Sequence, residues 1–285
     1  VRWDVVLLTY VSGPRLDEDD APLGEALSRR GLLWKALPWD APFRWGTTRL
    51  AVIRSTWDYA RRRGVYKRRL AAIATRTRLV NPLEVVERNI HKGYLLDLAA
   101  RGIPVVPTAL LRKGEKRALD DLLAERGWDD AVVKPATSAG SWRTFRVRRG
   151  APAIESRRAR RLIGSRDALV QPFIPSVTGA GERAMMFFDG VFSHAIRKRS
   201  LFEPLSVEPR VACEPTPDEL ALAHEVLRVE GADSLAYARV DVTAGADGRP
   251  LLMELELIEP RLFFTSGPPE APERFADAIV ARLPA

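Results

Sequence analysis

The chain is poor in the residues on which many compact sites are built. Its 285 residues contain one cysteine, three histidines and three methionines. A lone Cys213 excludes an intrachain disulfide and a cysteine-rich zinc site. His91, His194 and His224 are spaced for neither a metal centre nor a catalytic triad. No apolar run approaches the roughly 20 residues that span a bilayer, so no membrane association of that kind is expected. The opening Val1-Arg-Trp-Asp and Val5–Leu8 lack the long apolar core and small-residue cleavage site of a secretory signal. A reducing cytoplasm is the expected address. Lysine is scarce as well: only Lys35, Lys67, Lys92, Lys113, Lys116, Lys134 and Lys198 stand among 45 basic residues. GC-rich coding alone would produce such an arginine bias, which makes each retained lysine worth inspecting.

Against these absences stand 46% hydrophobic and 29% charged residues, the composition of an ordinary globular protein. Basic residues exceed the 37 acidic ones, for a net charge of +8. Two arginine-rich runs feed this excess, Arg61–Arg63 with Lys67–Arg69 and Arg157–Arg158 with Arg160–Arg161. Neither is interleaved with aromatics or joined by a nucleic-acid-binding motif, so both read as solvated helix faces and no nucleic-acid partner is expected.

Strand and helix patterns alternate along the first third. Val5–Leu8, Leu32–Leu37 and Leu50–Ile53 read as strands around a helix at Ala21–Arg30, the pattern of a parallel α/β lobe. Such lobes bind ligands beyond the strand C-termini, where Arg54-Ser-Thr-Trp-Asp-Tyr59 falls. Arg54 suits a carboxylate clamp, with Ser55, Trp57, Asp58 and Tyr59 beside it as substrate-binding candidates; packing of Trp57 and Tyr59 is the other reading. Asn81-Pro82 marks a boundary. A helix at His91–Arg101, an extended 103–108 segment and a middle lobe of mixed strands and helices follow. The last lobe carries strands at Arg183–Phe188 and Val191–Arg197, a helix at Pro217–Val229, a strand pair around Asp247-Gly248 and a helix at Glu273–Leu283. The expected division is 1–85, 86–175 and 176–285.

The segments Tyr237–Val242 and Leu251–Leu257 both alternate, with Asp247-Gly248 between them. Asp-Gly favours a two-residue hairpin turn. Counted outward from an Ala246–Arg249 closing pair, Asp241 faces Glu254 and Arg239 faces Glu256, all on one side of the ladder. Directly opposed carboxylates destabilise a sheet, and a divalent cation on hard oxygen ligands compensates them economically. A salt-bridged surface ladder is the alternative.

Lys134 ends the apolar strand 131–134 just before the small-residue loop Thr137-Ser-Ala-Gly-Ser141. A point charge beside closely approachable backbone N–H groups can grip phosphate, although no Walker A pattern is present.

The order of these features resembles the ATP-grasp superfamily of carboxylate–amine ligases, and within it the cyclo-ligases of cycloserine biosynthesis and their uncharacterised relatives. The resemblance runs through Lys92, Lys134-Pro with Ser138–Ser141, Gln171–Ile174, Gly181-Glu182, Phe192–Ala195 with Lys198, Arg239-Val-Asp241 and Glu254–Pro260. It covers residues 80–285, and the first lobe resembles the pre-ATP-grasp domain of the same proteins. It implies an ATP-grasp fold, α/β overall, behind a parallel α/β domain. It further implies that Lys92, Lys134, Ser138, Ala139, Gly140 and Ser141 hold phosphates, that Gln171, Pro172, Phe173 and Ile174 line an adenine slot, and that Glu182 meets the ribose. Lys198 and Arg239 would face the transferred phosphoryl group, while Asp241, Glu254 and Glu256 would ligate two Mg²⁺ ions or Mn²⁺. The implied reaction joins a small carboxylate to an amine at the expense of ATP, and the family leaves a homodimer open. Many members carry asparagine where Glu256 stands, and 200–216 lacks the glycine usual after the Lys198 position. A nucleotide-binding module without chemistry, or an arginine-faced nucleic-acid binder, are the rival readings.

Overall fold

The computed structural model describes residues 2–13, 15–150, 153–231 and 235–284, and only the backbone of 153–156. Three sheets organise them. Strands β1 (Trp3–Thr9), β2 (Trp34–Pro38), β3 (Thr48–Ile53) and β4 (Arg78–Val80) form a parallel sheet in the order β2-β1-β3-β4. Helix α1 (Ala21–Arg29) covers one face; the other carries α2 (Arg63–Ala74), which includes Arg63 and Lys67–Arg69 of the first basic run. Val5 and Leu7 enter one core while Val6 and Leu8 enter the other. Burial on both faces explains why this strand reads as an unbroken apolar run.

Helices α3 (Leu83–Asn89) and α4 (Tyr94–Ala100) lead into a second sheet. Helix α4 starts later than its apolar spacing suggests, because the Lys92 N–H is taken by the Ala136 carbonyl at 2.7 Å and the Gly93 N–H by His91 Nδ1 at 3.1 Å. Strands β5 (Ala109–Leu111), β6 (Asp130–Pro135), β7 (Phe145–Arg148) and β8 (Ala168–Pro172) run antiparallel in the order β5-β8-β6-β7. They pack on α5 (Leu119–Arg126) and α6 (Ala153–Ser165), whose second basic run, Arg157, Arg158, Arg160 and Arg161, is solvent-exposed.

The third sheet holds β9 (Glu182–Phe188), β10 (Val191–Lys198), β11 (Arg210–Cys213), β12 (Tyr237–Ala244) and β13 (Pro250–Glu256), antiparallel in the order β11-β10-β9-β12-β13. Helix α7 (Pro217–Glu230) opens with a reciprocal Thr216–Glu219 capping box and packs on one face. Helix α8 (Ala271–Val280) lies against the other face and against α1.

The expected two-residue turn between β12 and β13 is not formed. The loop is Ala246-Asp247-Gly248, closed by Gly245 N–H to Arg249 O at 2.8 Å, with Gly248 left-handed at φ 80°. A three-residue loop ending in a left-handed glycine is the next most favourable hairpin. It moves the pairing near the turn to Ala244–Pro250 and Val242–Leu252. The register then shifts between Asp241 and Val242, where Met253 is the extra residue, and beyond this bulge Asp241 again faces Glu254 and Arg239 faces Glu256. The longer turn and the bulge offset each other.

Two buried side chains join the first lobe to the third sheet. The Asn81 amide, with no solvent exposure, donates to Tyr237 O at 2.9 Å and Leu257 O at 3.0 Å and accepts from Ala236 N–H at 2.8 Å. The Tyr237 hydroxyl, also fully buried, donates to Ile258 O at 2.6 Å and lies 3.1 Å from Ile53 O. An unmade buried hydrogen bond costs about 1–3 kcal/mol. Asn81→Ala, which strands three backbone groups, is expected to lower unfolding free energy by about 3 kcal/mol or more. Urea unfolding of both forms checks this, and a loss below about 1 kcal/mol would remove Asn81 as a lobe-joining residue.

Candidate active site

A cavity of about 440 Å³ lies between the second and third sheets and reaches the loop after β3. Lys92, Lys134, Ser138, Ala139, Gly140 and Ser141 line it, as do Gln171, Pro172, Phe173, Ile174, Glu182, Lys198, Arg239, Glu254 and Glu256. Residues more than 160 positions apart in the chain therefore meet around one space.

The floor is the β12–β13 ladder. Asp241 has no exposed surface; Arg239 reaches it with a forked pair of hydrogen bonds, Nε to Oδ1 and Nη2 to Oδ2, both 2.8 Å, and Lys198 Nζ lies 2.6 Å from Oδ2. The same guanidinium pairs with Glu256, while Lys198 also pairs with Glu182 at 2.6 Å. Lys92 pairs with Glu254 and donates to the Ser138 carbonyl at 3.3 Å. Carboxylate oxygens of Asp241, Glu254 and Glu256 lie within 4.8 Å of one another. Three hard oxygen donors this close, with phosphate-sized space above them, fit a divalent cation such as Mg²⁺.

The charges shape their own protonation. Burial would raise the Asp241 carboxyl, but Arg239 and Lys198 overcome it and hold it well below the usual range. Burial likewise opposes Lys92 and Lys134 at Glu254, and the two lysines win, bringing it to about 2. At Glu182 burial prevails over Lys198, and the neighbouring Asp241 charge adds to it, so this carboxyl rises to about 7. Lys134 has no ion-pair partner among the described residues and is 8% exposed. Burial pulls its ammonium below the ordinary lysine value, an electrostatic debt that an anionic ligand would cancel.

On the opposite wall Gln171 donates to Thr108 Oγ1 at 2.9 Å. The Phe173 ring is flanked by Arg146 at 3.5 Å and by Phe202 at 5.6 Å, the latter from the glycine-free segment after β10. Glu203 accepts from the N–H groups of Gly179 and Ser200 at 3.2 and 2.6 Å and pairs with Arg197 at 2.7 Å. A carboxylate knot thus organises this segment where glycine freedom would otherwise be expected.

The Arg54–Tyr59 segment needs correction. Trp57 and Tyr59 line the cavity, but Arg54, Ser55 and Asp58 do not. Arg54 is 1% exposed; its guanidinium donates to Asp20 Oδ1 at 2.8 and 3.1 Å and to Pro260 O at 2.9 Å. A buried arginine needs its own counter-ion, and Asp20, fixed at the start of α1, supplies it, leaving no clamp for substrate. Ser55 is buried and Asp58 accepts from Trp39 Nε1 at 2.7 Å. Sequence periodicity also missed Glu259, which is 8% exposed and lines the cavity together with Tyr59. It lies past the end of β13, outside the alternation that picked out Glu254 and Glu256.

This fold, with its lysines set over a carboxylate hairpin, is that of an ATP-grasp ligase. Solved structures agree: the ATP-grasp ligase PsnB complexed with minimal precursor, Mg and ADP shares the fold at TM-score 0.64 and 19% identity, covering 97% of each chain. D-alanine–D-alanine ligase from Bacillus anthracis complexed with ATP does so at TM-score 0.66 and 14% identity, over 98% of this chain and 96% of that one. The crystal structure of D-cycloserine synthetase DcsG matches at TM-score 0.90 and 32% identity, over 98% and 99% of the two chains. The cycloserine biosynthesis protein DcsG of Streptomyces lavendulae is 34% identical across 98% of both chains, and residues 5–81 match the family model of the D-cycloserine synthetase DcsG N-terminal domain. The chain belongs to the DcsG family of ATP-grasp ligases. Among the described residues, no helix is long and apolar enough to cross a membrane.

Removing one partner of a buried ion pair costs about 3–5 kcal/mol. Arg239→Ala, which leaves fully buried Asp241 with Lys198 alone, is expected to lose stability on that scale in a urea titration. A loss under about 1 kcal/mol would show that the forked pair does not carry the burial of Asp241.

Proposed function

We propose that the chain couples cleavage of ATP to ADP with formation of an amide C–N bond on a small amino-acid-like substrate. A substrate carboxylate oxygen attacks the γ-phosphorus and the bond to the ADP oxygen breaks. An amine nitrogen then attacks the acyl phosphate, phosphate leaves with the C–O bond, and the nitrogen loses a proton. The observation that carries this reading is the convergence of Lys92, Lys134 and Lys198 with Asp241, Glu254 and Glu256 on one cavity and its floor.

Residue roles follow from the charges. Lys134, without an acidic partner, is the first seat for a phosphate, with Lys92 and the backbone of Ser138–Ser141 beside it. Gln171, Pro172, Phe173 and Ile174 form the slot for the base, and Glu182 faces the ribose hydroxyls. Lys198 and Arg239 stabilise charge that develops on the transferred phosphoryl group and the acyl oxygens. Asp241, Glu254 and Glu256 would hold Mg²⁺, one ion or two, with Mn²⁺ as a substitute. The bound cation supplies positive charge against the polyphosphate. Trp57 and Tyr59 bring the first lobe to the substrate. Residues 1–85 would serve as the substrate-binding lobe, 86–175 as the central lobe and 176–285 as the lobe of the carboxylate hairpin. The cytoplasm, where ATP is supplied, is the compartment this reaction requires.

Ring closure to D-cycloserine, the product in the relatives' name, is the first reaction to assay, followed by amino-acid pairs. ADP release that depends on substrate is the expected result, abolished by EDTA and restored by Mg²⁺. Lys134→Ala is expected to weaken ADP binding roughly 10- to 100-fold, the scale of one charged hydrogen bond. Unchanged ADP affinity in Lys134→Ala would overturn its assignment as the phosphate seat, and failure of the wild type to bind ADP would overturn the nucleotide reading.

A further inference from the structure

Of the acidic side chains that line the cavity, one is left without a cation. Glu182 pairs with Lys198, Glu254 with Lys92 and Glu256 with Arg239. Glu259 has no ion-pair partner among the described residues although it is 8% exposed. Tyr59 lines the same cavity and stacks on Tyr66 with ring centres 4.8 Å apart. The Glu259 main chain is fixed from the first lobe: Trp57 Nε1 donates to the Glu259 carbonyl at 3.1 Å and Arg54 to the Pro260 carbonyl at 2.9 Å. A backbone anchored on both sides of the peptide in this way is characteristic of a preorganised receptor group.

A buried carboxylate without a counter-ion is costly, and a cationic ligand removes that cost. Burial, helped by the charge of Glu256, pushes Glu259 up to about 8, which is the same penalty expressed as proton affinity. Arg261 lines the same end of the cavity, paired with Asp17 at 2.8 Å and held over the Trp57 ring at 5.0 Å. One negative and one positive group beside aromatic walls suit a zwitterion.

We propose that Glu259, anchored through its backbone by Trp57 and Arg54, is a specificity-determining residue that receives the ammonium group of the substrate. The inference rests on the ligase reading of this cavity and assigns the amine end of an amino-acid substrate to this residue. The nitrogen held by Glu259 remains protonated, so it serves as the recognition handle while a different nitrogen attacks the acyl phosphate. An acylated amine gives the carboxylate no charge, and a hydroxyl gives it only a neutral hydrogen bond.

D-Cycloserine keeps a free amine and serves as the probe, with N-acetyl-D-cycloserine as its uncharged counterpart. Both are titrated calorimetrically into the full chain saturated with Mg²⁺ and ADP. The wild type is expected to bind the parent at least about 10-fold more tightly than the acetylated form. Glu259→Gln, which keeps the shape and removes the charge, is expected to weaken the parent roughly 10- to 100-fold and bring the ratio of the two ligands near unity, with ADP affinity unchanged. The inference is overturned if Glu259→Gln binds the parent as the wild type does, if the wild type does not distinguish the two ligands, or if it holds ADP but not D-cycloserine. Failure to hold ADP would instead overturn the ligase reading, and this inference with it.

Discussion

A carboxylate with no exposed surface, Asp241, sets the terms for the rest of the site. The β12–β13 pairing puts Glu254 directly opposite it, so the ladder carries like charges face to face. Such a strand pair is stable only with cations supplied from its own neighbours. Arg239 supplies one from two residues away on the same strand face, and Lys198 supplies another from β10, across β9. Lys92 neutralises Glu254 from the segment between α3 and α4. Each cation therefore does structural work before any ligand arrives, and the cavity's geometry is held by the charges that would act on a ligand.

The second requirement is that the first lobe keep its place over this ladder. Asn81 and Tyr237 use buried hydrogen bonds to tie the ends of β3 and β4 to the strand and loop around the hairpin. Arg54 and Trp57 extend that tie to the carbonyls of Pro260 and Glu259. Arg54 thus influences the cavity through the backbone it holds. Its loss would shift the Glu259 turn as well as leave Asp20 buried alone, so a kinetic effect of changing it would not by itself indicate substrate contact.

How much of this could be read from sequence follows from the range of each interaction. Period-two alternation is local, and it placed Arg239, Asp241, Glu254 and Glu256 on one face. The turn was misjudged by one residue, and the Met253 bulge restored the register where burial of Val240 and Leu255 on the opposite face demands it. The parallel first lobe was likewise visible as short apolar runs. What no local pattern reveals is which side of a loop faces a distant strand. The Arg54–Pro260 and Trp57–Glu259 contacts span more than 200 residues of chain, so Arg54 read as an open clamp and Glu259 went unnoticed.

The division between arginine and lysine has a physical sense here. Arg239 grips Asp241 through two parallel bonds, a planar fit that a guanidinium provides and an ammonium does not. That pair has little reason to open. Lys92 and Lys198 hold carboxylates as point charges on flexible stems, and Lys134 holds none. On the proposed reading, phosphates and a divalent cation enter the space between these groups. A lysine can then exchange a carboxylate for a phosphate oxygen by rotating its stem, whereas an arginine would first have to break a forked pair. In a chain otherwise dominated by arginine, lysine at these positions keeps the cations available to a ligand that comes and goes.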